Sequence, residues 1–94
     1  MVMFNLKHDR HSPQAIKFLT DGKNTLTQIP GVKQFEVLTQ ISAKNDYHFG
    51  FSMMFENQAA YEAYNQHPLH VAFVNERWKA EVTRFLEMDF QQAL

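Results

Sequence analysis

The chain has no cysteine, only three glycines and three prolines among 94 residues, and a single tryptophan. Without thiols it has neither a disulfide to staple a small core nor a thiolate nucleophile, and a reducing compartment is expected, the cytoplasm by default. Few glycines and prolines leave no material for a flexible linker, and neither an internal repeat nor a low-complexity segment is visible. An excess of charge of one sign is also missing: nine Lys and Arg face ten Asp and Glu, for a net charge of −1. A protein that tracks a phosphate backbone needs a basic run or arm, so nucleic acid is not expected as a partner. No apolar stretch approaches the ~20 residues of a membrane span, and no apolar leader follows a basic start, so no membrane partner is expected either.

What remains is 45% apolar and 14% aromatic, enough for one small domain spanning residues 1–94. Residues 1–8 alternate, with Val2, Phe4, Leu6 and His8 pointing one way and Met1, Met3, Asn5 and Lys7 the other, which predicts a strand. Ser12 and Pro13 form a helix start, an N-cap followed by a residue that needs no N–H. An apolar stripe of Ala15, Ile16, Leu19, Leu26 and Ile29 then predicts a helix over 13–29, with a weak turn or kink at Gly22. Pro30-Gly31 ends it. A second strand is expected over 32–40, with indistinct faces, and a third over 47–55. In the third, Tyr47, Phe49, Phe51, Met53 and Phe55 share one face, while Gly50 on the other leaves room for a close neighbour. Asn57 caps a second helix, Pro68 opens a third that runs to about Lys79, and Val82–Phe90 closes the chain as a fourth strand.

The order β-α-β-β-α-(α)-β specifies an α+β fold, a ferredoxin-like protomer whose four-stranded antiparallel sheet carries its helices on one face. The other face, with large apolar side chains, is expected to be covered by a second copy, so a homodimer is the expected partner arrangement. Phe and Met side chains of the first, third and fourth strands are expected at that contact.

Chemistry concentrates in Tyr64-Asn65-Gln66-His67-Pro68-Leu69-His70-Val71-Ala72-Phe73. Helical spacing puts His70 on or beside the face of Phe73, Val74 and Arg77, so a titratable imidazole leads an apolar stripe. Tyr64 lies just before the break that Pro68 imposes. Both side chains have a plain structural reading, as groups that satisfy backbone at the helix junction. His67 suits a helix-start role and is kept as a binding-region residue with Phe73, and His8 joins them through its strand parity with Phe4 and Leu6. A metal at His67-x-x-His70 lacks a third ligand at recognisable spacing.

Taken together, the opening strand, Pro30-Gly31-Val32, Phe55-Glu56-Asn57 and Tyr64-x-x-His67-Pro68-x-His70-x-x-Phe73 resemble the stress-responsive dimeric α/β-barrel (Dabb) family over nearly the full length. The resemblance implies two ferredoxin-like protomers pairing through their sheets into a dimeric α/β barrel, and mostly no assigned activity. Its olivetolic acid cyclase-type members, plant polyketide cyclases without a cofactor, have a catalytic tyrosine and histidine that fall on Tyr64 and His70. On that analogy His70 is a general base alpha to a carbonyl and Tyr64 a hydrogen-bond donor to the developing oxyanion. One departure stands out: a further histidine of those enzymes falls on Phe49, with His48 one residue off and on the opposite face. The expected function is a stress-responsive Dabb-domain protein that binds or transforms a small apolar carbonyl or aromatic compound. The alternatives are a non-enzymatic stress or assembly protein and a cofactor-independent monooxygenase-like enzyme.

Overall fold

Strict alternation makes the opening strand, β1 (Val2–Leu6), two-faced. In the computed structural model, which describes residues 1–94, its Phe4 and Leu6 lie buried beneath the helices. The first helix, α1 (Pro13–Leu26), starts where the Ser12 hydroxyl accepts the Ala15 N–H at 3.2 Å. It stops at Leu26, three residues before the sequence expectation, because Thr27 turns its hydroxyl onto the Lys23 carbonyl at 2.6 Å and the chain tightens toward Pro30. Gly31 then takes φ +90°, a conformation that glycine alone adopts without strain.

Strands β2 (Lys33–Thr39), β3 (Phe49–Met54) and β4 (Val82–Glu87) join β1 in an antiparallel sheet of order β2-β3-β1-β4. This is the expected ferredoxin-like sheet. Two bulges adjust it. Four residues of β2, Lys33 to Glu36, oppose three of β3, Met54 to Ser52, with Gln34 at φ 51°. Without that extra residue Lys33 and Phe35 would share a face; with it Phe35 turns onto Phe51, ring centroids 5.3 Å apart. The blurred faces of β2 in the sequence have this cause. Thr83 is the corresponding extra residue in β4, opposite Asn5 and Leu6.

The core is aromatic. Phe4, Phe18, Phe51 and Trp78 enclose one another, with Phe4 4.9 Å from both Phe51 and Trp78. Gly22 is no kink. It faces this cluster, and a Cβ there would sit 2.8 Å from Phe51 Cζ, so the helix approaches the sheet only because the side chain is missing. Gly50, by contrast, meets nothing closer than 3.5 Å within the protomer. Beside the core, a chain of ion pairs ties α1 to the segment before β4: Lys17–Asp21 at 2.9 Å, Asp21–Arg77 and Arg77–Glu81 at 2.6 Å, and Glu81–His8 at 2.8 Å.

The helices leave the opposite face of the sheet bare. Leu38, Gly50, Met3 and Leu86 form one row across the four strands, and strand parity adds Met1, Met54 and Met88. Met1, Met54 and Leu86 are 38%, 55% and 43% exposed. The methionine expected on this face is there, joined by leucine, but the phenylalanine is not: Phe4, Phe49 and Phe51 lie buried in the core. The reason is parity: Phe85 opposes Phe4 and turns to the helical side, 5.7 Å from Trp78.

Candidate functional site

The site begins with a helix that stops. Asn57 accepts the Ala60 N–H at 2.9 Å and starts α2 (Gln58–Gln66), but Pro68 clashes with a helical conformation at the residue before it, so His67 is extended at ψ 138°. Its Nδ1 accepts the Leu69 N–H at 3.1 Å, making His67 the N-cap of α3 (Pro68–Phe73). The chain doubles back and His70 comes to rest against Tyr64, ring centroids 4.6 Å apart.

At His70 one contact decides the chemistry. Its Nδ1 lies 3.0 Å from the Asn65 carbonyl oxygen, which can only accept, so Nδ1 carries the hydrogen and Nε2 keeps its lone pair. Burial holds the imidazole below its ordinary pKa against the pull of that carbonyl and of the Glu87 charge, and the ring is neutral at pH 7. Tyr64 is only 6% exposed and packs on Phe55 at 5.1 Å. Burial pushes its phenol well above the ordinary value, helped by the charges near it, so it stays a hydrogen-bond donor. Its hydroxyl makes no hydrogen bond within the protein, yet it is not among the sealed polar atoms, where His48 Nδ1 stands alone.

Both groups face a cavity of about 340 Å³ between the sheet and the helices. Val2, Phe51 and Met53 form its floor, and Leu26, Phe73, Val74 and Trp78 its roof. Phe85, Lys79 and Glu87 complete the wall. The expected third helix is not uniform: after α3 comes a π-helical turn (Val74–Trp78), then one α turn (Lys79–Glu81). The wider π turn adds a residue per turn and so rephases the helix, bringing Trp78 to the cavity and Arg77 to the ion pairs. At the rim, Tyr61 lies 3.1 Å from Glu87 Oε1 and 2.9 Å from Asp89 Oδ2 through its hydroxyl. Burial and these carboxylates push that phenol up to about 12.

Tyr64, His70 and Phe73 thus meet at one cavity, while His67 and His8 are engaged elsewhere, His67 as the cap and His8 on Glu81. Phe49 is buried against Phe4 at 6.0 Å, and His48 lies on the other side of the strand. Lys79, Trp78, Tyr61 and Glu87 were not singled out by sequence as site residues. For Glu87 a signal existed: alternation in β4 puts a carboxylate on the same inward face as Phe85. No cluster of three or more His, Asp or Glu side chains that could hold a metal ion occurs, and no helix is long and apolar enough to cross a membrane.

A ferredoxin-like sheet with its helices on one face and a polar pair over an apolar cavity defines the class, and the family comparison agrees with it: the chain belongs to the Stress responsive A/B Barrel Domain (Dabb) family, matched over residues 1–92. It is similar to a stress-response A/B barrel domain-containing protein of Arabidopsis thaliana, At5g22580, at 31% identity over 99% of this chain and 84% of that protein. Among solved structures, a Dabb family protein with a ferredoxin-like fold from Mesorhizobium loti superposes with a TM-score of 0.95 at 57% identity, covering 97% of this chain and 91% of the other. At3g17210 from Arabidopsis thaliana follows at 0.81 and 27%, over 99% and 92%. A dimeric protein of unknown function from Bacteroides fragilis shares the fold, with a TM-score of 0.71 at 18% identity, over 97% and 91%. None of these relatives brings a specific activity with it.

Because the Tyr64 hydroxyl has no protein partner, Tyr64→Phe should change stability by no more than about 0.5 kcal/mol. A hydroxyl that held the junction together would cost about 1–3 kcal/mol to remove. Urea unfolding of the two proteins at pH 7 separates these outcomes.

Proposed function

We propose that this Dabb protein binds a small apolar carbonyl or aromatic compound in the Tyr64–His70 cavity and acts on it by cofactor-free acid/base chemistry. The observation that carries this is the pairing of a neutral imidazole, its Nε2 lone pair free, with a solvent-reached phenol over a largely apolar cavity. In the step proposed, the C–H bond alpha to the carbonyl breaks, its proton goes to His70 Nε2 and its electron pair moves onto the carbonyl oxygen. Tyr64 donates a hydrogen bond to that oxygen as its charge grows. The likeness of Tyr64 and His70 to the pair of the olivetolic acid cyclase-type enzymes supports the same roles, and the cytoplasm is the compartment that fits a chain without thiols. His67 supports the site through its cap at the junction. In a thermal-shift screen of phenolic and polyketide-like carbonyl compounds, at least one should raise the Tm of the wild type and leave His70→Ala unmoved. A panel that stabilises both proteins alike, or neither, would remove the site.

The bare sheet face supports a second element, a homodimer formed face to face. Leaving a few hundred Å² of apolar surface in water forgoes several kcal/mol at about 25 cal/mol per Å², comparable with a small domain's stability. The Met3, Leu38 and Leu86 row offers a self-complementary surface for a two-fold contact. The dimeric protein from Bacteroides fragilis has the same fold, and the family is described as a barrel, which two such sheets would close. Sedimentation at micromolar concentration should give the mass of two chains, and Leu86→Glu on the bare face should give one. A folded wild-type monomer would contradict the dimer.

A further inference from the structure

A base that takes a proton becomes a cation, so the charges around His70 decide how readily it does so. β1, β3 and α1 present only apolar side chains to the cavity. From α2 comes the Tyr64 phenol, and just after the π-helical turn comes Lys79. β4 ends in the wall with Glu87, the one carboxylate of the cavity lining. Its register partner is Val2 of the floor, so the two side chains share the inward face of the sheet. At the rim Tyr61, also on α2, holds the carboxylate, its hydroxyl 3.1 Å from Glu87 Oε1 and 2.9 Å from Asp89 Oδ2. No basic side chain forms an ion pair with Glu87, so no neighbour cancels its charge.

We infer that Glu87 is a positioning residue for the proposed reaction: from the cavity wall its carboxylate stabilises the imidazolium that His70 becomes on taking the substrate's proton, and Tyr61 keeps that carboxylate in place. This role rests on the proposed acid/base reading and adds a residue to it. Burial holds the proton affinity of His70 down, while the Asn65 carbonyl and the Glu87 charge act against burial, and Glu87 is the only full charge that does so. Glu87 and Lys79 are both exposed, so water screens both, but only Glu87 is tied down by a neighbour at the cavity. The carboxylate forms no ion pair with the ring and acts through space, which sets its effect at about three-fold in proton affinity. Burial first, and then the charges of Tyr61 and Glu87, also keep the Tyr64 phenol un-ionised, so it retains the hydrogen it donates. A negative wall opposes the oxyanion as well, so Glu87 sets the strength of the base and not the whole barrier.

The test follows the His70 ring resonances through a pH titration at low salt in the wild type, Glu87→Gln and Tyr61→Phe. Glutamine keeps an acceptor for the Tyr61 hydroxyl and removes only the charge, so a merely structural Glu87 would leave the His70 midpoint where it is. Glu87→Gln should instead lower the proton affinity of His70 about three-fold, with Nδ1 still carrying the hydrogen of the neutral ring, and the difference should shrink as salt is raised. Tyr61→Phe frees the carboxylate to swing into water and should lower the affinity in the same direction by a smaller factor. A Glu87→Gln midpoint equal to that of the wild type overturns the role of Glu87 and leaves His70 standing as a neutral base. An unchanged midpoint in Tyr61→Phe overturns the part given to Tyr61. If the wild-type ring is protonated on Nε2, or already charged at pH 7, the acid/base reading fails and the role of Glu87 goes with it.

Discussion

The approach of α1 to the sheet at Gly22 and Phe51 is the constraint on which the rest of the molecule depends. A buried Phe51 ring sits where any larger residue at Gly22 would place its Cβ, so the helix lies as near the strand as a helix without a side chain permits. That approach lets Phe18 reach Phe4, Phe51 and Phe73 together. Alanine at this position would gain about 1 kcal/mol of helix propensity and lose it to crowding in a packed core. The same Phe51 ring forms the cavity floor under His70 and Tyr64, so core packing and site geometry share one contact.

The site follows from a conflict between two local rules. Residues 58–66 favour a helix, and Pro68 forbids its continuation through His67. The chain resolves this by extending one residue and capping anew, which leaves the Asn65 carbonyl free of a helical partner and within reach of His70. The orphaned acceptor of one helix thereby fixes the tautomer of a side chain on the next. Burial then disfavours the imidazolium form, so a neutral base results from backbone geometry and desolvation without a carboxylate on Nδ1.

Much of this was legible in the sequence. Alternation in β1 and β3, the Ser12-Pro13 start, the Pro30-Gly31 stop and the Pro68 break all act within a few residues of where they are written. The four strands and the nearness of Tyr64 to His70 therefore follow directly. The features that escaped are set by register between distant segments. Gln34 and Thr83 become bulges only when their strands pair. The π turn sets Arg77 in ion pairs with Asp21 and Glu81 and Trp78 against Phe4, and two of those three partners, Asp21 and Phe4, lie far away in the chain. His8 shares the inward parity of Phe4, but Glu81, 73 residues away, takes its imidazole. Lys79 and Glu87 reach the cavity through the rephased helix and the registered edge strand, neither of which a local pattern encodes.

The central claim is that His70 presents a free Nε2 lone pair to the cavity at neutral pH. The imidazole nitrogen shifts of His70, followed by long-range proton–nitrogen correlation over a pH titration, test it most directly. Burial lowers the folded pKa, so the neutral form should persist below the ordinary histidine midpoint and the ring should charge only as pH falls further. At pH 7 the spectrum should show Nδ1 protonated and Nε2 bare. A ring protonated on Nε2, or one already charged at pH 7, would contradict the account.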